Sequence, residues 1–338
     1  MKEPRHFPPI PNGWFAVAWS DELARRQVLP LRCFGRDLVL FRSESGVASV
    51  LSRYCPHLGA SLAHGGTVEA ETLRCPFHGW RFDGAGTCRE APRTERIPPK
   101  AQLTAWPTAE VNGLIHAYHH AENAPPPAPP PAFEPLNDAR FVRIGRSTFS
   151  LASHPQEMSE NAFDAAHFPT VHRTTYPEIT ASEEGPAFSV SFDTQPMLGS
   201  RVLPLHSRID ITCFELGLVR VNVQLAPWVN VFVFSYAAPT EEEEVQVRHI
   251  WVTEAGRGAA GLARRAAGWV AGRESMRQAR QDRVIWENKI HRTHPALGSG
   301  DRALGTFRRW ARQFYGRVDE AGRRADVLVE HLQESHNR

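Results

Sequence analysis

The sequence is poor in cysteine and lysine and has almost no net charge. Five cysteines in 338 residues is an odd number and too sparse for a disulfide scaffold. A reducing cytoplasm is therefore the expected compartment, and clustered cysteines are read first as metal ligands. Lysine occurs only at Lys2, Lys100 and Lys289; the formal net charge is +2. So small a balance excludes a dominating field toward nucleic acid or an anionic membrane. No uninterrupted apolar stretch reaches about 18 residues, so no transmembrane helix is expected. The first residues, Met1-Lys2-Glu3-Pro4-Arg5-His6, run into Pro8, Pro9 and Pro11 without the apolar core of a signal peptide, and export is not expected. No G-x-G-x-x-G follows an expected strand, so flavin or nicotinamide must sit on another protein.

What is present suits a soluble globular chain: 41% hydrophobic and 22% charged residues. The length suggests about two domains. Pro125-Pro126-Pro127-Ala128-Pro129-Pro130-Pro131, followed by Pro135, is the sharpest compositional break and reads as a semi-rigid connector. The expected division is 1–123, a linker 124–135, a second domain 136–320 and a tail 321–338. Before the joint, short apolar runs such as Leu38-Val39-Leu40-Phe41 alternate with Gly and Asp turns, which predicts a small all-β domain. After it, residues 156–168 read as helix. Phe188 to Asp193, Arg208 to Phe214, Val219 to Leu225, Val229 to Tyr236 and Val245 to Val252 read as strands. Ala259 to Trp286 reads as one or two helices, and Thr306 to Tyr315 as a last one. Strands followed by helices predict an α+β domain. Glu241 to Glu244 reads as a solvated hairpin tip.

Cys55-Pro56-His57 and Cys75-Pro76-Phe77-His78 form the first constellation. Each pairs a thiolate with an imidazole, and each is followed by glycine, at Gly59 and Gly79. Two Cys and two His suit a tetrahedral zinc or a [2Fe–2S] cluster with both thiolates on one iron and both imidazoles on the other. The order favours the cluster. A Cys2His2 finger places two Cys together and then two His, whereas here each loop contributes one of each, with 17 residues between His57 and Cys75. Neutral imidazoles in place of thiolates raise the potential to about −150 to +300 mV, within reach of oxygen chemistry.

A second constellation runs Glu160-Asn161-Ala162-Phe163-Asp164-Ala165-Ala166-His167-Phe168-Pro169-Thr170-Val171-His172. Asp164 and His167 are three apart and would share a helix face. Pro169 should end or kink that helix near Phe168, letting His172 turn back toward His167. Two His and a carboxylate with open positions make the facial triad of non-haem Fe(II) oxygenases. On its own, this spacing in a chain with 16 His is weak evidence.

Cys55-Pro56-His57-Leu58-Gly59-Ala60 and Cys75-Pro76-Phe77-His78-Gly79-Trp80-Arg81-Phe82 resemble the Rieske domain of ring-hydroxylating non-haem iron oxygenases. Asp164 through His172 resembles their D-x-x-H-x-x-x-x-H iron motif. Pro11-Asn12-Gly13-Trp14-Phe15, Phe34-Gly35-Arg36-Asp37-Leu38-Val39-Leu40-Phe41, Ile285-Trp286-Glu287-Asn288-Lys289 and Phe307 to Tyr315 resemble two groups, the 3-ketosteroid 9α-hydroxylase oxygenases and the cholesterol 7-desaturases. The resemblance implies a Rieske domain followed by a helix-grip-like catalytic domain with an antiparallel sheet. It implies a [2Fe–2S] cluster on Cys55, His57, Cys75 and His78, and a mononuclear Fe(II) on His167, His172 and a distant carboxylate. The segment from Gln281 to Lys289 makes that carboxylate Asp282, with Glu287 next; the competing reading puts Asp282 with Gln278 and Trp286 on a solvated helix face. Asp164 would bridge to a cluster-ligating histidine of a neighbouring subunit, His78, in a homotrimer, with Asn161 near the bridge. A separate reductase or ferredoxin would supply electrons.

The implied activity is a terminal oxygenase that hydroxylates, desaturates or demethylates a bulky hydrophobic substrate, steroid- or sterol-like, or forms a cis-diol. Alternatives are an aromatic or other natural-product substrate, a Rieske electron carrier with a non-catalytic second domain, and a zinc-stabilised binding module. Phe192, Met197, Phe214, Val219, Trp228, Phe232 and Phe234 are candidate cavity residues. Cys33, Cys88 and Cys213 lack metal-like spacing.

Overall fold

The computed structural model describes residues 5–184, 186–195, 207–226 and 229–316. The chain forms two compact units. One is Trp14–Ala132 together with Ala238–Glu241; the other is Met1–Gly13, Phe133–Ala237 and Glu242 onward.

The first unit is built from strands β1 (Gly13–Trp19), β2 (Val28–Cys33), β3 (Arg36–Arg42), β4 (Ala48–Ser52), β5 (Thr67–Glu69), β6 (Thr72–Arg74), β7 (Arg81–Asp83), β8 (Cys88–Glu90), β9 (Ala105–Trp106), β10 (Thr108–Val111) and β11 (Leu114–His119). They make three small sheets ordered β1-β11-β10, β2-β3-β4-β9 and β5-β6-β7-β8. Leu38 through Phe41 are all buried, so β3 is covered on both faces, as its continuous apolar run requires. One core gathers Val39, Phe41, Leu51, Leu62, Leu73 and Phe82 around Cys55 and Cys75. The Asp83–Gly86 turn is held by Asp83 Oδ1, which accepts from Ala85 N (3.0 Å) and Thr87 N (2.9 Å). Gly86 has φ +77°, and a Cβ there would lie 2.2 Å from the Leu103 carbonyl oxygen, so only glycine fits. The proline-rich segment carries carbonyls but few amides. Trp14 Nε1 donates to Ala128 O and Asn112 Nδ2 to Pro131 O, both at 2.8 Å, strapping it to the unit.

The second unit carries β12 (Phe141–Leu151), β13 (Thr180–Glu184), β14 (Ala187–Thr194), β15 (Ser207–Glu215), β16 (Leu218–Ala226), β17 (Val229–Glu241) and β18 (Glu244–Glu254). Its helices are α1 (Glu134–Asn137), α2 (Pro155–Asn161), α3 (Gly258–Trp286) and α4 (Arg302–Ala311). One seven-stranded sheet has the order β12-β18-β17-β16-β15-β14-β13. The five expected strands are all present, and Glu242 and Glu243 turn between β17 and β18. Two strands, β12 and β13, lie outside the sequence reading. α3 is a single helix of 29 residues. It lies against the sheet through Gly268 and Gly272, where a Cβ would meet Ile144 Cδ1 at 2.8 Å and the Trp251 ring at 3.4 Å. α4 buries Phe307 and Trp310 against Phe163 and Phe188.

The helix expected over 156–168 stops at Asn161. Asp164 and His167 therefore share a turn rather than an α-helix face, and a five-residue π-helical turn, Phe168–His172, follows.

Candidate metal centres

The β4–β5 and β6–β7 loops share one backbone pattern. Cys55 N donates to Ala60 O (2.9 Å) and Gly59 N back to Cys55 O (2.9 Å). Cys75 N donates to Trp80 O (2.8 Å) and Gly79 N back to Cys75 O (3.1 Å). The two glycines hold φ at +73° and +74°. Both thiols are buried in the core of the unit and both imidazoles are exposed. The His57 and His78 rings lie 4.6 Å apart, and His57 stacks flat on Trp80, at 4.6 Å and 4°. Burial, and then the neighbouring Cys75 and Cys88, push the Cys55 thiol up to about 11, against the hydrogen bond from the loop backbone. A thiolate in that position needs a cation beside it, so the donor set suits a metal centre. The other three cysteines are buried and donate to carbonyls: Cys33 to Pro239, Cys88 to Glu90 and Cys213 to Glu215.

In the second unit the π-helical turn explains how histidines five apart meet. At 3.6 residues per turn, positions i and i+5 of an α-helix point about 140° apart. The wider i→i+5 turn brings them to one side. His167 Nε2 and His172 Nε2 are 3.1 Å apart, and Asp282 Oδ1 lies 3.2 Å from His172 Nε2. One donor atom from each of the three falls within 4.8 Å of the others. His172 and Asp282 are buried. Asp282 comes from the last turns of α3, and the face it shares with Gln278 and Trp286 lines a cavity, not solvent. Glu287 lies apart from them, its carboxylate accepting from Arg283.

Second partners set the ring orientations. His172 Nδ1 lies 3.2 Å from Gln281 Oε1, an acceptor, so Nδ1 carries the proton and Nε2 presents its lone pair to His167 and Asp282. His167 Nδ1 faces Asp164 Oδ2 at 3.7 Å and has no hydrogen-bond partner among the described residues. Burial raises the Asp164 carboxyl, but the His167 ring and two backbone amides outweigh it and hold it below its ordinary value. Asp164 Oδ1 accepts from Ala166 N at 2.9 Å. Two imidazole lone pairs and a carboxylate facing one another repel unless a cation sits among them, and this donor set suits ferrous iron. Asn161 lines the same cavity without joining the three.

That cavity measures about 270 Å³ and runs from the triad along the sheet. Strand register explains its shape. Facing pairs Val219↔Ser235, Val221↔Val233 and Val223↔Val231 present small or β-branched side chains to it. Phe192 and Val219 line it as expected. Phe214, Phe232 and Phe234 do not. Phe232 and Phe234 occupy the alternate positions of β17, paired with Asn222 and Arg220, and pack on Phe141 and Phe133; Phe214 also packs on Phe133. Met197 and Trp228 lie outside the described residues. Sequence reasoning gave Gln281 no role and missed Ser235 and His249 on the cavity wall. The signal for the last two was polar side chains at inward positions of otherwise apolar strands.

Comparison with known proteins gives these features a family. Residues 13–107 match the Rieske [2Fe-2S] domain and residues 117–315 the 3-ketosteroid 9alpha-hydroxylase C-terminal domain. The chain is 32% identical over 326 residues to a cholesterol 7-desaturase of Bombyx mori, covering 91% of this chain and 70% of that one. It is 29% identical over 331 residues to a probable 3-ketosteroid-9-alpha-monooxygenase oxygenase component of Rhodococcus rhodochrous, covering 91% and 81%. Dicamba monooxygenase bound to dicamba shares the fold at TM-score 0.70 and 20% identity, over 90% of this chain and 96% of that one. Pseudomonas putida CBB5 NdmA with caffeine does so at 0.72 and 19%, over 88% and 89%. The chain belongs to the Rieske non-haem iron oxygenases. It is an oxidoreductase of the oxygenase-component kind, with a Rieske [2Fe–2S] cluster and a mononuclear iron as cofactors. Its electrons come from a separate donor protein. Among the described residues no helix is long and apolar enough to cross a membrane.

Proposed function

We propose that this chain is the terminal oxygenase of a multi-component system that hydroxylates or desaturates a sterol or steroid. The observation that carries the reading is the convergence of His167, His172 and Asp282 on the wall of an apolar cavity of about 270 Å³. Those three side chains would hold the mononuclear iron, and Cys55, His57, Cys75 and His78 the cluster. When bound, the mononuclear iron supplies a site where dioxygen is reduced with electrons relayed from the cluster. The chain's own residues do the rest. Gln281 fixes the His172 tautomer. Valine and isoleucine side chains exclude water and grip a flat hydrocarbon skeleton. Asp164 keeps its carboxylate partly open to the surface, with 34% of its side chain exposed, where a neighbour's histidine can reach it. This supports a trimer in which Asp164 bridges to the His78 position of the next subunit. The cholesterol 7-desaturases and the 3-ketosteroid monooxygenase it resembles favour a fused-ring substrate.

The test is turnover of cholesterol and of a 3-ketosteroid by the purified holoenzyme with a ferredoxin, its reductase, NADH and air. An oxygenated or desaturated product is expected from the wild type. His172→Ala should keep the brown cluster absorption and lose mononuclear iron and product. Turnover by that variant would overturn the site assignment. Turnover of planar aromatics with none of either steroid would overturn the substrate class.

A further inference from the structure

His249, on β18, is buried and lines the cavity. Its Nε2 lies 3.0 Å from Ser235 Oγ on β17, another cavity residue. Its Nδ1 is buried without a hydrogen-bond partner among the described residues. Phe149 and Trp251 meet the ring edge-on, at 5.3 Å and 80° and at 5.7 Å and 83°. Burial pushes the imidazole down to about 4, with no charged group among the described residues offsetting it, so it is neutral at pH 7. A neutral ring nitrogen buried with no partner is a destabilising feature that needs an explanation. The other unpartnered polar atoms on the wall belong to the metal end, except Thr194 Oγ1 at the end of β14. Thr174 follows His172 by two residues, and Trp286 lies one helical turn beyond Asp282. His249 and Ser235 belong to the sheet.

We propose that His249, poised by Ser235, is the specificity-determining residue that takes the single ring oxygen of an otherwise hydrocarbon polycyclic substrate. The pair accepts either kind of oxygen. When His249 Nε2–H donates to Ser235, Nδ1 is an acceptor for a substrate hydroxyl. When the serine hydroxyl donates to Nε2, Nδ1–H donates to a substrate carbonyl. Rotation of one hydroxyl and exchange of one tautomer thus adapt the site to an alcohol or a ketone, while a carboxylate meets no lysine or arginine among the lining residues. Anchoring that oxygen also fixes which carbon faces the triad. The proposal rests on the steroid reading above and adds its polar contact.

The test is equilibrium binding to the holoenzyme, without turnover, of two matched pairs: cholesterol against cholest-5-ene, and cholest-4-en-3-one against cholest-4-ene. The wild type should bind each oxygenated member about tenfold or more tightly than its oxygen-free counterpart. His249→Leu should abolish that preference, weakening the oxygenated members about tenfold and leaving the hydrocarbons unchanged. His249→Gln, which keeps a donor and an acceptor, should restore part of it. Ser235→Ala, a smaller change, should weaken the oxygenated members several-fold. If the wild type binds all four alike, or His249→Leu weakens all four alike, the inference fails while the steroid reading stands. If the wild type binds none of the four, the steroid reading fails and the inference with it. In turnover, His249→Leu should scatter the position of attack; a single unchanged product position would also overturn the anchoring role.

Discussion

Two buried histidines make acid stability a sharp test of the second unit. His154 caps α2, its Nδ1 accepting from Gln156 N at 3.2 Å, and burial pushes it down to about 4 despite the nearby Glu157 carboxylate. His249 is pushed down to about 4 by burial. In the unfolded chain each returns to about 6.5. The unfolded state then binds more protons below that value, so each contribution is complete above pH 6.5 and drains away as pH falls toward 4. At pH 5 each has lost about 2 kcal/mol, and the pair about 4. That is a large part of the 5–15 kcal/mol typical of a domain. Glu157 acts in a different window. Burial raises its carboxyl, but the hydrogen bond from His291 at 2.6 Å and the Lys289 ammonium outweigh it and hold the group down to about 2. Its contribution is lost only between about 4.5 and 2. The perturbation is His154→Asn, which keeps an acceptor suited to a helix N-cap and removes the titrating ring. Urea unfolding followed by near-ultraviolet circular dichroism at pH 7 and pH 5 should show a pH-dependent loss about 2 kcal/mol smaller in the variant than in the wild type. Equal losses would refute the assignment of that acid sensitivity to His154.

Gln281→Leu should leave both metal sites formed but weaken Co(II) binding to the mononuclear site about 10- to 100-fold, read from the visible Co(II) spectrum; unchanged affinity would remove its orienting role. Asp164→Asn should retain iron and acid-labile sulfide and slow reoxidation of the reduced cluster in single-turnover stopped flow, and an unchanged rate would remove the bridge. Val221→Phe should fill the cavity and abolish cholesterol binding with the cluster spectrum intact, whereas Phe232→Leu, on the opposite face of the sheet, should leave binding unchanged; the reverse pattern would mean the strand register is wrong.

The Cys/His motif was legible because its chemistry is local: a thiolate and an imidazole within three residues, repeated after a glycine-turned hairpin, have few other uses. The His167/His172 motif was weak by spacing alone and was read through the family resemblance, which also supplied its distant carboxylate, Asp282. The five apolar strands were legible by period. β12 was not. Its pairing with β18 slips between Arg143 and Gly145, so the alternation of apolar and polar side chains changes phase inside the strand. The helix over 156–168 was over-read because Ala165 and Ala166 favour helix, while the chain unwinds after Asn161 and rewinds as a wide turn. That departure is what the site requires. A continued α-helix would aim His167 and His172 about 140° apart, and no carboxylate on α3 could face both. The cavity followed the same logic. Aromatic residues drew the eye as pocket walls, yet a sheet puts alternate residues on opposite faces. The face left with Val, Ile, Ser and Ala is the one with room for a ligand, because its side chains are too short to fill the space that the phenylalanines fill on the other side. In this unit, then, the empty volume beside the triad was encoded by the small residues between the aromatic ones, and Ser235, with His249 beside it, puts a polar contact on that wall.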